Sequence, residues 1–356
     1  MNTRVLAAAV VAPILVALLA GCTGGPVAAD PSPKPSPSPS PSSTAEVPPV
    51  SEPESVFDID CADVAVAMND FVGFGADGVK ERMSLASAPN WYPGPAEFMM
   101  KRAGGMVCAY DGEQRADGMQ DAWEVVIVPD AQRMINSLVS NGYAEQPSEC
   151  LEGSCTLMAR AGDALLVGSV HSAQIASDAT EGARALAQTW AENASAGQQE
   201  EPFEVVASEV AGADCEQLMA SARLGELWGV TTHLTDEFGG WGVPAEVYLV
   251  VDGAVICIYG DGGEYDGVQH LQLTDLPGGA WAFDLIEGRT PITVTGADKA
   301  YSGMGGTSTY PAPFIDILVG ADWIRLTGTG SSGDLEPVAE AVAANAAEIE
   351  AMPAPR

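Results

Sequence analysis

The sequence predicts an α+β fold built as two tandem copies of one unit, each an antiparallel sheet with helices packed on one face and stapled by a disulfide. An Asp-Cys pair opens each half of the chain, and a Pro-Ala-Glu motif begins 13 positions before the second cysteine of each half. Strand-like runs in both halves are separated by hairpin-length turns, which favours antiparallel pairing. An Ala-rich helical stretch closes each half. Agreement of this many spacings is typical of a tandem duplication.

The first copy is expected to cover residues 58–200 and the second residues 201–356. The boundary is placed at 194–202, a short polar segment that ends in proline, because such segments commonly separate domains. The spacing agreement extends downstream, where Trp123 to Tyr143 and Trp281 to Tyr301 are each 20 positions apart.

The first cysteine of each copy is predicted on a helix and the second on a strand. Cys61 begins an apolar pattern at helical spacing, whereas Cys108 lies in the strand-like run 106–110, followed by a predicted turn at Asp111-Gly112. Bridges Cys61–Cys108 and Cys215–Cys257 would therefore join the opening helix to the sheet. Cys150 and Cys155 have no counterpart in the second copy, and their four-residue gap favours a structural clip over a redox motif.

The remaining elements follow in order along each copy. A strand is expected at 123–128, then a helix that Pro129-Asp130 opens and Asn141-Gly142 ends, and then a strand pair at 157–161 and 164–170. In the second copy the strand pair is expected at 314–319 and 323–327. The closing helices are expected at 178–193 and 335–350. Where the first copy has its middle helix, the second has the β-branched, proline-broken run 290–295, which is predicted to be extended or lost.

Residues 1–21 have the layout of a secretory signal, with Arg4, an apolar run from Val5 to Leu18, and small residues before Cys22. The run is short and interrupted by Pro13, so it is a poor membrane span. Leu19-Ala20-Gly21-Cys22 closely resembles the lipobox of bacterial lipoproteins. That resemblance implies cleavage before Cys22, a diacylglyceryl group on its thiol, palmitate-type acylation and anchoring to the extracytoplasmic face of the cell membrane. An ordinary cleaved signal and an uncleaved anchor are the alternatives.

Residues 22–57 contain the lipidated cysteine and a Pro/Ser-rich linker, which is expected to be disordered and extended. Proline fixes φ and removes a hydrogen-bond donor, while serine adds nothing apolar to bury. At ~3.1 Å per residue, the linker would hold the folded part on the order of 100 Å from the membrane. That reach suits a position within the cell wall.

The chain has 15 Lys and Arg against 49 Asp and Glu, a formal net charge of −34. Nucleic acid is therefore not an expected partner, because its binding depends on basic patches. The three histidines lie far from any metal-spaced or nucleophile-like partner in sequence, and no cofactor or metal is expected. The Gly328–Gly333 loop matches Gly-x-Gly-x-x-Gly but is interpreted as a turn into a helix. The acidic loop 261–267 is interpreted as a hairpin tip.

Six repeated aromatic and acidic residues are candidates for an aromatic-lined ligand groove: Trp91, Glu97, Tyr110, Trp241, Glu246 and Tyr259. The competing interpretation places them in the core, since duplication preserves folds as well as sites. The Cys…Cys-x-aromatic pattern behind a lipobox and a Pro/Ser spacer resembles a group of actinobacterial cell-envelope lipoproteins of unassigned function. The resemblance implies an extracytoplasmic, disulfide-stabilised, non-enzymatic domain and supplies no catalytic residues.

The sequence thus favours a tethered binding module that contacts a small ligand, a wall component or an envelope protein. The alternative is a secreted hydrolase that acts on an envelope substrate with carboxylates such as Glu97 or Glu246 as acid and base, because paired carboxylates can act without histidine. The solute receptor of a transporter fits the anchor but not the antiparallel repeats.

Overall fold

A computed structural model describes residues 51–83, 94–114, 120–140, 147–198, 208, 210–237, 247, 251–262, 267–306, 311–330 and 332–350. These residues belong to one compact unit that covers 47–356. The signal segment, Cys22, nearly all of the linker and the helix stop at 141–142 lie outside the described residues.

The first copy forms a five-stranded antiparallel sheet in the order β1-β2-β5-β4-β3. Its strands are β1 (Met106–Gln114), β2 (Gln120–Val128), β3 (Glu149–Leu151), β4 (Ser154–Ala161) and β5 (Ala164–His171). Its helices are α1 (Cys61–Val72), α2 (Met99–Arg102), α3 (Ala131–Ser140) and α4 (Thr180–Ala196), and a 3₁₀ turn (Gly94–Phe98) leads directly into α2.

Helix α1 begins at the predicted position, Cys61, and has a capping residue at each end. The side chain of Asp60 accepts the backbone N–H of Ala62 at 2.8 Å, and Gly73 ends the helix in the left-handed conformation with φ of 83°. Its apolar stripe buries Val64 and Met68 against the sheet. Helix α4 packs on the same face of the sheet through a row of alanines, which allow close approach of helix and strands.

The second copy forms a seven-stranded antiparallel sheet in the order β6-β7-β8-β12-β11-β10-β9. Its strands are β6 (His233–Glu237), β7 (Ile256–Gly260), β8 (Gln269–Leu276), β9 (Thr290–Ile292), β10 (Lys299–Gly306), β11 (Pro311–Val319) and β12 (Asp322–Gly328). Its helices are α5 (Cys215–Leu218), α6 (Leu224–Trp228) and α7 (Glu336–Glu350). The run at 290–295, predicted to be extended or lost, begins with the short strand β9.

The two sheets share the strand order that the duplication predicts. The order β1-β2-β5-β4 matches β7-β8-β12-β11, and each copy carries its staple on the first strand of that series. Cys61–Cys108 and Cys215–Cys257 join Cα atoms 5.4 and 5.7 Å apart, and Cys150–Cys155 clips β3 to β4. The predicted fold class and all three disulfides are therefore confirmed.

Two local predictions are wrong. Asp111-Gly112 does not form a turn, because β1 continues to Gln114 through a break in its pairing with β2. Trp123 and Trp281 are not equivalent either: Trp123 lies within strand β2, whereas Trp281 ends a 3₁₀ turn that follows β8. The equal spacing from each tryptophan to a tyrosine was a coincidence of sequence.

The copies also share one hydrophobic core. Alternate residues of β2 point to opposite faces, so Val125 packs beneath α1 and α4 while Val126 faces the other way, towards α3 and the second copy. This shared core contains Phe98 and Val107 from the first copy and Phe283 and Trp323 from the second. Phe98 lies 5.8 Å from the Trp323 ring. Parts of the inner faces of both sheets are thereby buried in this shared core.

Removal of the long disulfides should destabilise the protein more than removal of the clip. The Cys61–Cys108 loop spans 47 residues and the Cys150–Cys155 loop only 5. Loop entropy then predicts losses of about 4 kcal/mol for the double variant Cys61→Ala/Cys108→Ala and about 2 kcal/mol for Cys150→Ala/Cys155→Ala. Urea unfolding of both variants under non-reducing conditions measures the difference, and equal losses would contradict the loop model.

Candidate functional site

A cleft of about 1060 Å³ lies between the first copy and the inner face of the second sheet. One wall comes from the first copy, the other from the loop before β9, and the floor from β8, β10, β11 and β12 of the second copy. The lining residues are Lys80, Glu81, Arg82, Glu97, Phe98, Lys101, Gln120, Gln272, Leu285, Ile286, Glu287, Met304, Gly305, Gly306, Ala312, Phe314, Arg325 and Thr327.

Glu97 is a buried carboxylate in this lining. It lies on the 3₁₀ turn before α2, where the backbone N–H of Gly94 donates to its Oε1 at 2.7 Å. Its Oε2 lies 3.5 Å from Nε of Arg82 and makes no hydrogen bond within the described part of the chain. Burial raises the pKa of Glu97, although the Gly94 hydrogen bond and the charges of Arg82, Arg325 and Lys80 act against that rise.

Gly94 is required at its position for two reasons. Its φ of 80° belongs to the left-handed region that favours glycine, and a Cβ there would lie 2.4 Å from Cζ of Arg325. The turn that carries Glu97 therefore packs its backbone directly on the Arg325 side chain. This contact brings a carboxylate of the first copy beside a guanidinium of the second.

Asp316 holds Arg325 in a fixed orientation. Nε and Nη2 of Arg325 donate to the two carboxylate oxygens of Asp316 at 2.7 and 2.8 Å, while the guanidinium carbon lies 3.9 Å from the centre of the Phe314 ring. Arg289 adds a second guanidinium at 2.8 Å, and the indole of Trp323 donates at 2.9 Å. Asp316 is fully buried, so these donors supply the solvation that water otherwise would.

The strand pairing shows that this ion pair is specific to the second copy. With Cys257 and Leu273 aligned to Cys108 and Val125, the residue equivalent to Arg325 is Val167 and that equivalent to Asp316 is Met158. The first sheet thus has apolar side chains where the second has its buried charges.

Glycines leave space free of side chains at the floor of the cleft. A Cβ on Gly303 would lie 2.2 Å from the tip of the Phe314 ring, so a larger residue there would displace the ring. A Cβ on Gly305 would find its nearest neighbour at 3.5 Å, which is ordinary contact. Leu285 and Met304, 50% and 66% exposed, form apolar lips above this floor.

A second group of buried charged residues holds the segment that carries Glu97 against the second copy. Arg102, at the end of α2, places Nε 3.9 Å from Oδ1 of Asp252 and donates from Nη2 to the Asp252 carbonyl at 3.3 Å. Asp275 and Asp322 also act electrostatically on Arg102. Because Glu97 lies five residues before Arg102 on the same segment, this ion pair fixes the position of the candidate site.

Burial is the main cause of the pKa shifts of Arg102 and the aspartates around it. It raises the pKa of Asp252 well above its usual value and that of Asp275 to about 8, while it lowers the pKa of Arg102. Asp275 therefore carries its proton at neutral pH and accepts the N–H of Val255 at 2.7 Å. Arg102 therefore does not have to balance three ionised carboxylates, because Asp275 is neutral.

The structure separates the six candidate groove residues. Glu97 lines the cleft. Tyr110 packs beneath α1 at 6.4 Å from the Trp123 ring, and the hydroxyl of Tyr259 donates to the Cys215 carbonyl in the core of the second copy. Neither tyrosine lines the cleft. Trp91, Trp241 and Glu246 lie outside the described residues.

Sequence reasoning missed the cations of the cleft. Lys80, Arg82, Lys101 and Arg325 are four of only 15 Lys and Arg in the chain, and they gather at one place. The available signal was Lys80-Glu81-Arg82, which puts two of those scarce cations next to one carboxylate. Of the histidines, His270 is buried with Nε2 3.4 Å from Asp261, and none of the three lines the cleft.

Comparisons with models of protein families, with curated proteins and with solved structures found no match to this chain. Among the helices that the structure describes, none combines the length and the apolar character needed to cross a membrane. Within the same residues, no group of three or more His, Cys, Asp and Glu could hold a metal ion.

Asp275→Asn should flatten the pH dependence of stability. The carboxyl has a pKa of about 8 in the folded chain against an ordinary 3.8, so between these values the native state binds a proton that the unfolded state has released. The free energy of unfolding then falls as pH rises through this window, by up to about 1.4 kcal/mol per pH unit, and levels off above it. Asparagine is neutral in both states, so the variant should be the more stable protein at pH 8.

Urea unfolding at several values between pH 5 and pH 8.5 gives the two slopes, and the exposed Asp77→Asn provides the matched control. A variant with the wild-type slope would show that Asp275 is ionised in the folded protein.

Proposed function

We propose that this protein is a lipid-anchored binding module on the extracytoplasmic face of the cell membrane and that its ligand binds in the cleft between the two copies. The carrying observation is Glu97, a buried carboxylate in the lining of the cleft whose Oε2 accepts no hydrogen bond from any described residue. Buried polar atoms are normally satisfied, and a ligand donor would satisfy this one. Phe98, Phe314 and the apolar lips supply the remaining features of a small-ligand site.

Hydrolysis of an envelope substrate is the alternative, and Glu97 with its raised pKa has the character of a general acid. Carboxylate-based hydrolysis needs a second, positioned carboxylate. The other carboxylates in the described lining are Glu81 and Glu287, both exposed, and Glu81 is paired with Lys101 at 2.8 Å. Binding is therefore better supported than catalysis.

The anchor is tested by Cys22→Ser. Lipidation requires the thiol, so the variant should lose incorporation of labelled palmitate and move from the membrane fraction to the soluble fraction of the envelope. Ser43→Ala, in the same linker, should leave both unchanged. Palmitate that remains on the serine variant would mean that Cys22 is not the lipidation site.

The cleft is tested by native mass spectrometry of the protein released from its own envelope. The wild type should carry a reproducible extra mass above the diacylated chain with three disulfides. Gly305→Leu should lose this mass, because its side chain occupies the floor without backbone strain. Gly330→Leu, which adds the same side chain in open space away from the cleft, should retain it. A bare wild type, or an extra mass that persists in Gly305→Leu, would count against ligand binding in the cleft.

A further inference from the structure

Among the described residues that line the cleft, Glu97 and Arg82 are an acceptor and a donor with hydrogen-bonding capacity to spare. Oε2 of Glu97 is the acceptor, on a side chain that is only 5% exposed. Arg82 is the donor: its side chain is 30% exposed and its Nε lies 3.5 Å from that same oxygen, while its two terminal nitrogens make no hydrogen bond to any described residue. A guanidinium with free terminal nitrogens can take a carboxylate through two parallel bonds.

The separation of these two groups restricts the chemistry of the ligand. Nε of Arg82 and Oε2 of Glu97 are 3.5 Å apart, so a ligand that meets both side chains must carry its donor and its acceptor within a few bonds of each other. A purely anionic ligand would face the Glu97 carboxylate, and a purely cationic ligand would face Arg82 and Arg325; like charges at such distances repel. A zwitterion with adjacent charges avoids both conflicts.

We propose that the cleft recognises an α-amino acid head group, whose ammonium binds Glu97 and whose carboxylate, on the same carbon, binds Arg82. This inference rests on the proposed function, since it names the ligand class of the same cleft. The rest of the ligand extends between Phe98 and Phe314 towards the apolar lips formed by Leu285 and Met304. A cleft of about 1060 Å³ has room for a long side chain or for a short branched peptide that displays such a head group.

Phenylalanine is a suitable probe because its ring can pack against Phe98 and Phe314 of the cleft. We would titrate both enantiomers of phenylalanine, N-acetylphenylalanine and phenylalaninamide against the full lipidated chain in nanodiscs, with empty nanodiscs as the blank. At least one enantiomer should bind. Its N-acetyl and amide derivatives should each bind roughly tenfold more weakly, because each loses one charge-assisted hydrogen bond.

Two variants assign the head-group contacts. Glu97→Gln should abolish the preference for the free ammonium over the N-acetyl form, and Arg82→Gln should abolish the preference for the carboxylate over the amide. Glu149→Gln and Arg133→Gln, both on the exposed surface outside the cleft, are the matched controls and should keep both preferences. Arg82 is partly exposed, so its variant remains informative if Glu97→Gln does not fold.

The pH dependence gives an independent readout. Burial raises the pKa of Glu97 against the opposing charges of Arg82, Arg325 and Lys80, and a bound ammonium favours its ionised form. Affinity should therefore fall as the pH is lowered through the pKa of Glu97, and this fall should be absent in Glu97→Gln.

Equal affinity for all three forms, or no binding of any form at millimolar concentration, would overturn the head-group assignment. If the native protein nonetheless carries a ligand mass that Gly305→Leu removes, only the ligand class is wrong. A bare native mass together with no phenylalanine binding would remove both proposals.

Discussion

The burial of Arg102 against Asp252, whose backbone carbonyl accepts from its guanidinium, is the contact on which the geometry of the cleft depends. It lies within the core that the two copies share, and both side chains are almost completely buried. A buried guanidinium that loses its electrostatic partners is left uncompensated, which typically costs about 3–5 kcal/mol. The pair therefore selects one position of the 94–102 segment against the second sheet. Glu97 lines the cleft together with Arg325 and Phe314 because this position is fixed.

Asp316 stabilises the other side of the cleft in a comparable way. Its two oxygens accept four hydrogen bonds, from Arg325, Arg289 and Trp323, and Arg289 also lies 4.4 Å from the centre of the Tyr301 ring. One carboxylate between two guanidiniums leaves a net positive charge, and Arg325 carries it to the lining of the cleft. That charge counteracts, without cancelling, the effect of burial on Glu97. A strongly acidic protein thus maintains a local environment in which a carboxylate and cations coexist.

Much of the scaffold could be predicted from the sequence because it depends on local pattern. The spacing of Cys61, Cys108, Cys215 and Cys257 predicted both long disulfides, and apolar periodicity predicted α1 and the strand pairs. The turn predicted at Asp111-Gly112 is absent because strand pairing overrides turn propensity at that position. The cleft was only partly predictable: Glu97 was singled out as one of a repeated motif, but its neighbours Arg82 and Arg325 are 15 and 228 positions away and meet it only through tertiary packing.

A duplicated fold need not produce a duplicated site, and the strand register explains why. The positions that hold Arg325 and Asp316 in the second sheet hold Val167 and Met158 in the first, on the face that enters the shared core. Because the two inner faces pack into one shared core, each can carry different side chains at equivalent positions. The first copy contributes the buried carboxylate and one wall, and the second contributes the charged and glycine-rich floor. Repetition in the sequence therefore identifies the scaffold, whereas the candidate ligand chemistry lies in the residues that the two copies do not share.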